Sequence, residues 1–146
     1  MKVFGKWRAD YNAAFISAFF SSVRLGIEGE VDFLVDTGAS KTVILDMDAE
    51  SLGVNYGKLT RYKYDMIGIG GSVETYSIKE AKLTFSTNEG KVLTERFEIF
   101  VLKHPKLNKK IERLPSLLGR DVLNKYCLMM NKPSGTVYFA DEIIRQ

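Results

Sequence analysis

One cysteine, one histidine and no long apolar run set the first limits on this chain of 146 residues. With Cys127 alone, no internal disulfide can form and no thiol pair is available for a zinc site. Its setting, Tyr126-Cys127-Leu128-Met129, reads as a buried strand with the thiol packed as a small hydrophobe. With His104 alone, Ser-His-Asp or Cys-His catalysis would have to run through that one residue. No Gly-x-Ser-x-Gly turn or comparable nucleophile accompanies it. A helix needs roughly 20 apolar residues to cross a bilayer, and no run approaches that, so no membrane partner is expected. Linkers, low-complexity stretches and internal repeats are missing too. An excess of one charge is also scarce, the net charge being +3. The cations gather in Lys103-His104-Pro105-Lys106-Leu107-Asn108-Lys109-Lys110, with Arg113 beyond. No aromatics interleave there, so the run reads as a solvated loop carrying His104, and no nucleic acid is expected as a partner.

What is present is ordinary globular material. At 45% hydrophobic and 12% aromatic residues, the chain can bury one domain's core without metals or disulfides. Lys2, Lys6 and Arg8 before the apolar residues 13–22 faintly mimic a secretory signal. Asp10, Asn12 and Ser17 interrupt the pattern, and it runs directly into a strand, so a cytoplasmic protein is expected. Residues 15–27 are β-rich, with Glu28-Gly29 as a tight-turn signal before the strand 31–35. Residues 46–53 predict a short helix with an acidic cap and a Gly stop. The acids at 46, 48 and 50 do not form an EF-hand, because Ser51 stands where that loop requires Gly. Residues 58–67 and 72–85 predict two long strands joined by a Gly-rich turn, followed by a turn at 87–90 and a strand over 91–102. Residues 120–125 predict a helix, and 126–130 with 136–140 a terminal hairpin. Many short strands with one or two small helices predict an all-β, closed barrel-like fold.

The chemistry-bearing segment is Asp36-Thr37-Gly38, at the end of the apolar run 31–35 and before Thr42-Val43-Ile44-Leu45. A turn that presents one carboxylate from a strand end is the local design of an aspartic peptidase half-site. Thr37 has a hydroxyl for backbone hydrogen bonds, and Gly38 lets main chain approach main chain. Far along the sequence, Leu117-Leu118-Gly119-Arg120-Asp121 is an apolar pair and a Gly before a short helix. Between them lies Met66-Ile67-Gly68-Ile69-Gly70-Gly71-Ser72-Val73. These three segments, in this order, resemble the retropepsin family of aspartic proteases, over about residues 23–130.

The resemblance implies a single-domain retropepsin fold acting as a homodimer on an extended polypeptide. Residues 1–22 would be a strand-forming extension, and 131–146 a hairpin and tail on the same domain. Amide hydrolysis needs a base to activate water and an acid to protonate the scissile group, and two carboxyls sharing one proton do both. The sequence holds a single Asp-Thr-Gly, so the second Asp36 must come from a second copy. The resemblance makes Asp36, Thr37 and Gly38 the catalytic triplet and Gly68, Ile69, Gly70 and Gly71 a lid over it. Ala39, Ser40, Val43, Ile67, Leu117 and Leu118 become candidate substrate contacts, although core packing accounts for the apolar ones equally well. No cofactor or metal is called for. Ser40 stands where several family members carry an acid that pairs with the Arg aligned with Arg120, so Arg120 needs another anchor, such as Asp121 or a carbonyl. The alternative function is a peptide-binding or dimerisation module on the same scaffold.

Overall fold

The computed structural model describes residues 1–63, 66–68 and 71–141. In chain order these form β1 (Lys2–Phe4), β2 (Lys6–Arg8), β3 (Ala13–Ser22), β4 (Ile27–Val35), β5 (Val43–Ile44) and α1 (Asp46–Leu52). A short 3-10 turn (Tyr56–Lys58) leads to β6 (Thr60–Arg61), β7 (Met66–Gly68), β8 (Gly71–Ser86) and β9 (Val92–Lys103). The chain ends with α2 (Lys109–Glu112), β10 (Leu117–Leu118), α3 (Arg120–Leu123), β11 (Cys127–Asn131) and β12 (Thr136–Ala140).

Alternation along β4 buries Val31, Phe33 and Val35 and leaves Asp32 and Leu34 half-buried, the pattern of a strand with one face in the core. The strands run in the order β2-β3-β4-β10-β5-β9-β8-β6, and β8 also pairs with β3 through Phe19↔Thr84 to Ser21↔Lys82. That extra pairing closes β3, β4, β10, β5, β9 and β8 into a ring, joined on one side through the two-residue strands β10 and β5. Phe20, Phe33, Phe85 and Phe139 fill the interior with Ile16, Ile44, Ile78, Leu83, Ile99 and Leu118, all essentially inaccessible. Each such side chain contributes about 1.5–3 kcal/mol relative to exposure. A second sheet, β1-β12-β11, joins the two ends of the chain.

The two-residue β10 decides where the site lies. It is parallel to β4 (Leu117↔Leu34, Leu118↔Val35) and antiparallel to β5 (Leu117↔Val43). Inserted between them, it carries Gly119 to the end of β4, beside Asp36.

Several sequence expectations change. The turn before β4 is Val23–Gly26, closed by Gly26 N–H to Val23 O at 3.1 Å, and Glu28 and Gly29 lie inside the strand. Eight cross-strand pairs from Phe15↔Leu34 to Ser22↔Ile27 outweigh the local Glu-Gly turn signal. The predicted strand 58–67 is broken into β6 and β7. α1 ends as predicted at Gly53, whose φ of 76° suits glycine. Its acids do not cap it, however: the N-cap is Leu45 without a side-chain bond. Cys127 is on a strand but only half-buried, because β11 lies at a sheet edge. The basic run is exposed from Pro105 to Lys110, yet His104 within it is buried, so the solvated-loop expectation fails for that residue.

Candidate active site

The Asp36 corner is assembled by backbone hydrogen bonds that extend the β4–β10 ladder. Leu34 N–H donates to Ser116 O (2.8 Å), and Asp36 N–H to Leu118 O (3.0 Å). The chain then folds back sharply, with Ala39 N–H donating to Asp36 O (3.2 Å) and Gly38 N–H to the Asp36 carboxylate at Oδ1 (2.9 Å). Asp36 is half-buried, Thr37, Gly38 and Ser40 are exposed, and Ala39 is half-buried. A Cβ on Gly38 would sit 3.1 Å from Asp36 Oδ1, so the smallest residue there lets the amide reach the carboxylate. The second oxygen, Oδ2, accepts no hydrogen bond among the described residues. The corner thus presents a carboxylate that is oriented but not used up.

A brace from the other side of β10 fixes the turn. Arg120 donates twice, from its backbone N–H to Ala39 O (2.8 Å) and from Nη1 to Thr37 O (2.8 Å). The anchor the sequence left open is therefore a carbonyl. Asp121 serves elsewhere: its carboxylate accepts from Thr42 N–H (3.0 and 3.1 Å), Thr42 Oγ1 (2.7 Å) and Val122 N–H (3.0 Å). The Thr42 hydroxyl in turn accepts from Gly119 N–H at 3.0 Å. Sequence reading offered Asp121 only as an anchor for Arg120 and missed its pairing with Thr42. The only local signal was an acid in the first turn of α3, and its partner lies 79 positions away. Gly119 is packed so closely that a Cβ would meet the Lys41 carbonyl carbon at 2.5 Å and its oxygen at 2.6 Å.

The remaining candidates separate into interior and rim. Leu118 is fully buried in the main core, and Val43 is buried with Leu45 and Phe100 in a smaller cluster, against which Leu117 packs half-buried. The backbones of Ile67, Gly68 and Gly71 belong to the β7–β8 hairpin, paired Ile67↔Ser72 and Gly68↔Gly71. Ile69 and Gly70, the expected lid tip, lie outside the described residues.

Beyond the corner, β5 runs into a second polar cluster. His104 N–H donates to Asp46 Oδ1 (2.8 Å), and His104 Nδ1 lies 2.5 Å from Asp46 Oδ2, both side chains at most 5% exposed. Ser116 Oγ donates to Asp48 (2.6 Å) and accepts from Leu45 N–H (3.0 Å). Nearby, burial and then the Asp46 charge push the Tyr56 hydroxyl up to about 12.

Over residues 23–125 the chain matches the family described as gag-polyprotein putative aspartyl protease. Among solved structures it is similar to a retropepsin-like aspartic protease from Rickettsia conorii. The identity is 21% and the TM-score 0.57, covering 95% of this chain and 90% of that one. It is also similar to EIAV protease complexed with the inhibitor HBY-793, at 19% identity and TM-score 0.49 over 80% of this chain and 90% of that one. The likeness of fold rests on the first, and it agrees with the all-β retropepsin architecture expected from the motifs. No curated protein matches the chain. Among the described residues, no helix is long and apolar enough to cross a membrane.

Proposed function

Since the chain belongs to the gag-polyprotein putative aspartyl protease family, we propose that it is a homodimeric aspartic endopeptidase in which each subunit contributes Asp36. The observation that carries this reading is the Asp36 carboxylate itself, held by Gly38 N–H on one oxygen and open on the other. Two such groups roughly 3 Å apart cannot both ionise, so the pair holds one proton over a wide pH range. The ionised member takes a proton from water as it attacks the scissile carbonyl. The protonated member hydrogen-bonds the carbonyl oxygen and stabilises the tetrahedral intermediate, and proton transfer to the amine then completes cleavage.

The other residues have supporting roles in this proposal. Thr37 braces the turn at the interface, and Gly38 fixes the carboxylate and borders the substrate main chain. Ala39 and Ser40 form the rim on which an extended polypeptide lies, with half-buried Leu117 as the apolar wall behind it and Val43 and Leu118 packed in the core beneath. The β7–β8 hairpin, with Ile67, Gly68, Ile69, Gly70 and Gly71, acts as the lid that excludes water.

The test is digestion of an unstructured protein across roughly pH 3–8, the span over which carboxyl pairs change protonation. Fragments from wild type and Asp36→Asn are compared by mass spectrometry. The proposal expects wild-type cleavage to fall about a thousandfold or more in the mutant, and to fall as the enzyme is diluted below its dimer dissociation constant. A folded wild-type dimer that cuts nothing at any pH would overturn it in favour of a peptide-binding module on the same scaffold.

A further inference from the structure

The β3–β4 turn, a bulge in β8 and the facing stretch of β9 line a cleft of about 410 Å³. It lies at the far end of β4 from Asp36. The turn precedes Ile27 and Asp36 follows Val35, so a strand of nine residues, roughly 30 Å, separates them. The bulge is an extra residue on β8: Ile78 pairs with Ile99 but Ala81 with Phe97. Such insertions bend a strand and re-aim its side chains.

The cleft's charge is unusual for this molecule. Four cations line it, Arg24, Lys79, Lys82 and Arg96, with one carboxylate, Glu80. This local excess of +3 equals the formal net charge of the whole chain. Lys82 and Arg96 stand directly opposite each other in the β8–β9 register, an arrangement that destabilises a sheet unless something negative lies between. Neither has an ion-pair partner among the described residues, whereas Arg24 pairs with Glu80 at 3.8 Å. Two further acids border the cleft: Glu98, the next outward position of β9, and Glu28, which faces Ser21 in the same cross-strand row as Lys82. The apolar part of the lining is Val23, 92% exposed at the tip of the turn, with Ala81 and Phe97.

We propose that this cleft binds an acidic polypeptide segment anchored by one apolar side chain, as a docking site remote from Asp36. The carboxylates of the segment lie between Lys82 and Arg96, and the apolar anchor sits against Val23, the exposed apolar residue at the tip of the turn. A nucleic acid fits less well, since the walls offer no stacked aromatic platform and include the Glu80 carboxylate. Docking requires no chemistry at Asp36, so the site stands or falls independently of the proposed cleavage.

The experiment is fluorescence anisotropy with a labelled Asp/Glu peptide carrying one central Phe, on wild type and on Asp36→Asn. Saturable binding of equal strength to both is expected. Lys82→Glu/Arg96→Glu raises the Kd about tenfold or more, and replacing the Phe by Ala weakens binding severalfold. Lys109→Glu/Lys110→Glu, a reversal of equal size in the exposed basic loop, leaves the Kd within about twofold. Circular dichroism and thermal melts confirm that the variants are folded. No binding, equal weakening by both double reversals, or stronger binding of a single-stranded oligonucleotide than of the peptide would each overturn the proposal.

Discussion

Two polar clusters bracket the two-residue strand β5, and they treat their carboxylates in opposite ways. After β5, Asp46 is nearly inaccessible and both of its oxygens are engaged by His104, while Asp48 meets the Ser116 hydroxyl. Before β5, Asp121 is likewise fully engaged, by Thr42 and Val122, but the corner it braces leaves Asp36 with one oxygen free of described hydrogen bonds. A carboxylate whose acceptors are all occupied by its own fold is scaffolding. One that is oriented through a single oxygen and half-exposed is suited to act on something else. The distinction singles out Asp36 better than burial or sequence spacing does, since Asp46 and Asp48 also lie within a few residues of β5.

The largest effect expected from testing this contrast is on the closed cluster. His104→Ala leaves Asp46 buried without its side-chain partner and should cost about 3 kcal/mol, read as a lower urea midpoint. Cleavage per folded dimer should change little. Replacing both members by an apolar pair, Asp46→Leu/His104→Phe, should recover part of that loss, because no lone charge remains. Next, Gly119→Ala drives a Cβ into the Lys41 carbonyl and should lower stability by about 2 kcal/mol. Here activity should fall along with stability, since the turn carrying Asp36 moves with its brace. Asp121→Asn keeps the shape but puts a donor among groups that already donate, costing about 1 kcal/mol by chemical denaturation. Gly38→Ala should cost only about 0.5 kcal/mol while reducing kcat about tenfold through displacement of the carboxylate. Separate loss of activity and stability at Gly38, against joint loss at Gly119, would sharpen the contrast.

The smallest effect is on alkaline stability. The Tyr56 phenol is raised from 10.0 to about 12 by burial and by Asp46. Below pH 10 it is neutral in both the folded and the unfolded chain, so its contribution is complete. Above pH 10 the unfolded phenol ionises first, and stability declines as pH rises towards 12. Thermal melts across that window should show a slope that Tyr56→Phe reduces.

The place of the Asp36 turn beside its neighbouring segment was legible because the signals are local: Asp36-Thr37-Gly38 after an apolar run, and Leu117-Leu118-Gly119 before a short helix. Closure of the barrel followed from strand number and spacing. What stayed hidden was pairing at a distance. His104 looked like a loop residue because its run is basic, and only the fold shows that Asp46, 58 positions earlier, receives it in the interior. Asp121 read as part of a helix start until Thr42 was beside it. The β3–β4 turn was misplaced because Glu28-Gly29 satisfies a local rule that eight cross-strand pairs override.

The insertion of β10 between β4 and β5 also governs when the corner can come into being. Asp36 and Thr42 leave the ribosome long before the segment that braces them, with Thr42 and Asp121 separated by 79 positions. At about 5–20 residues per second, synthesis leaves the Asp36-Thr37-Gly38 turn without its support for roughly 4–16 s. During that interval the early strands are a nascent chain with the parallel register of β4 unfilled, and closing so long a loop is intrinsically slow. Synthesis order therefore acts as a timer: the braced Asp36 corner cannot form until the segment carrying Gly119, Arg120 and Asp121 has been made.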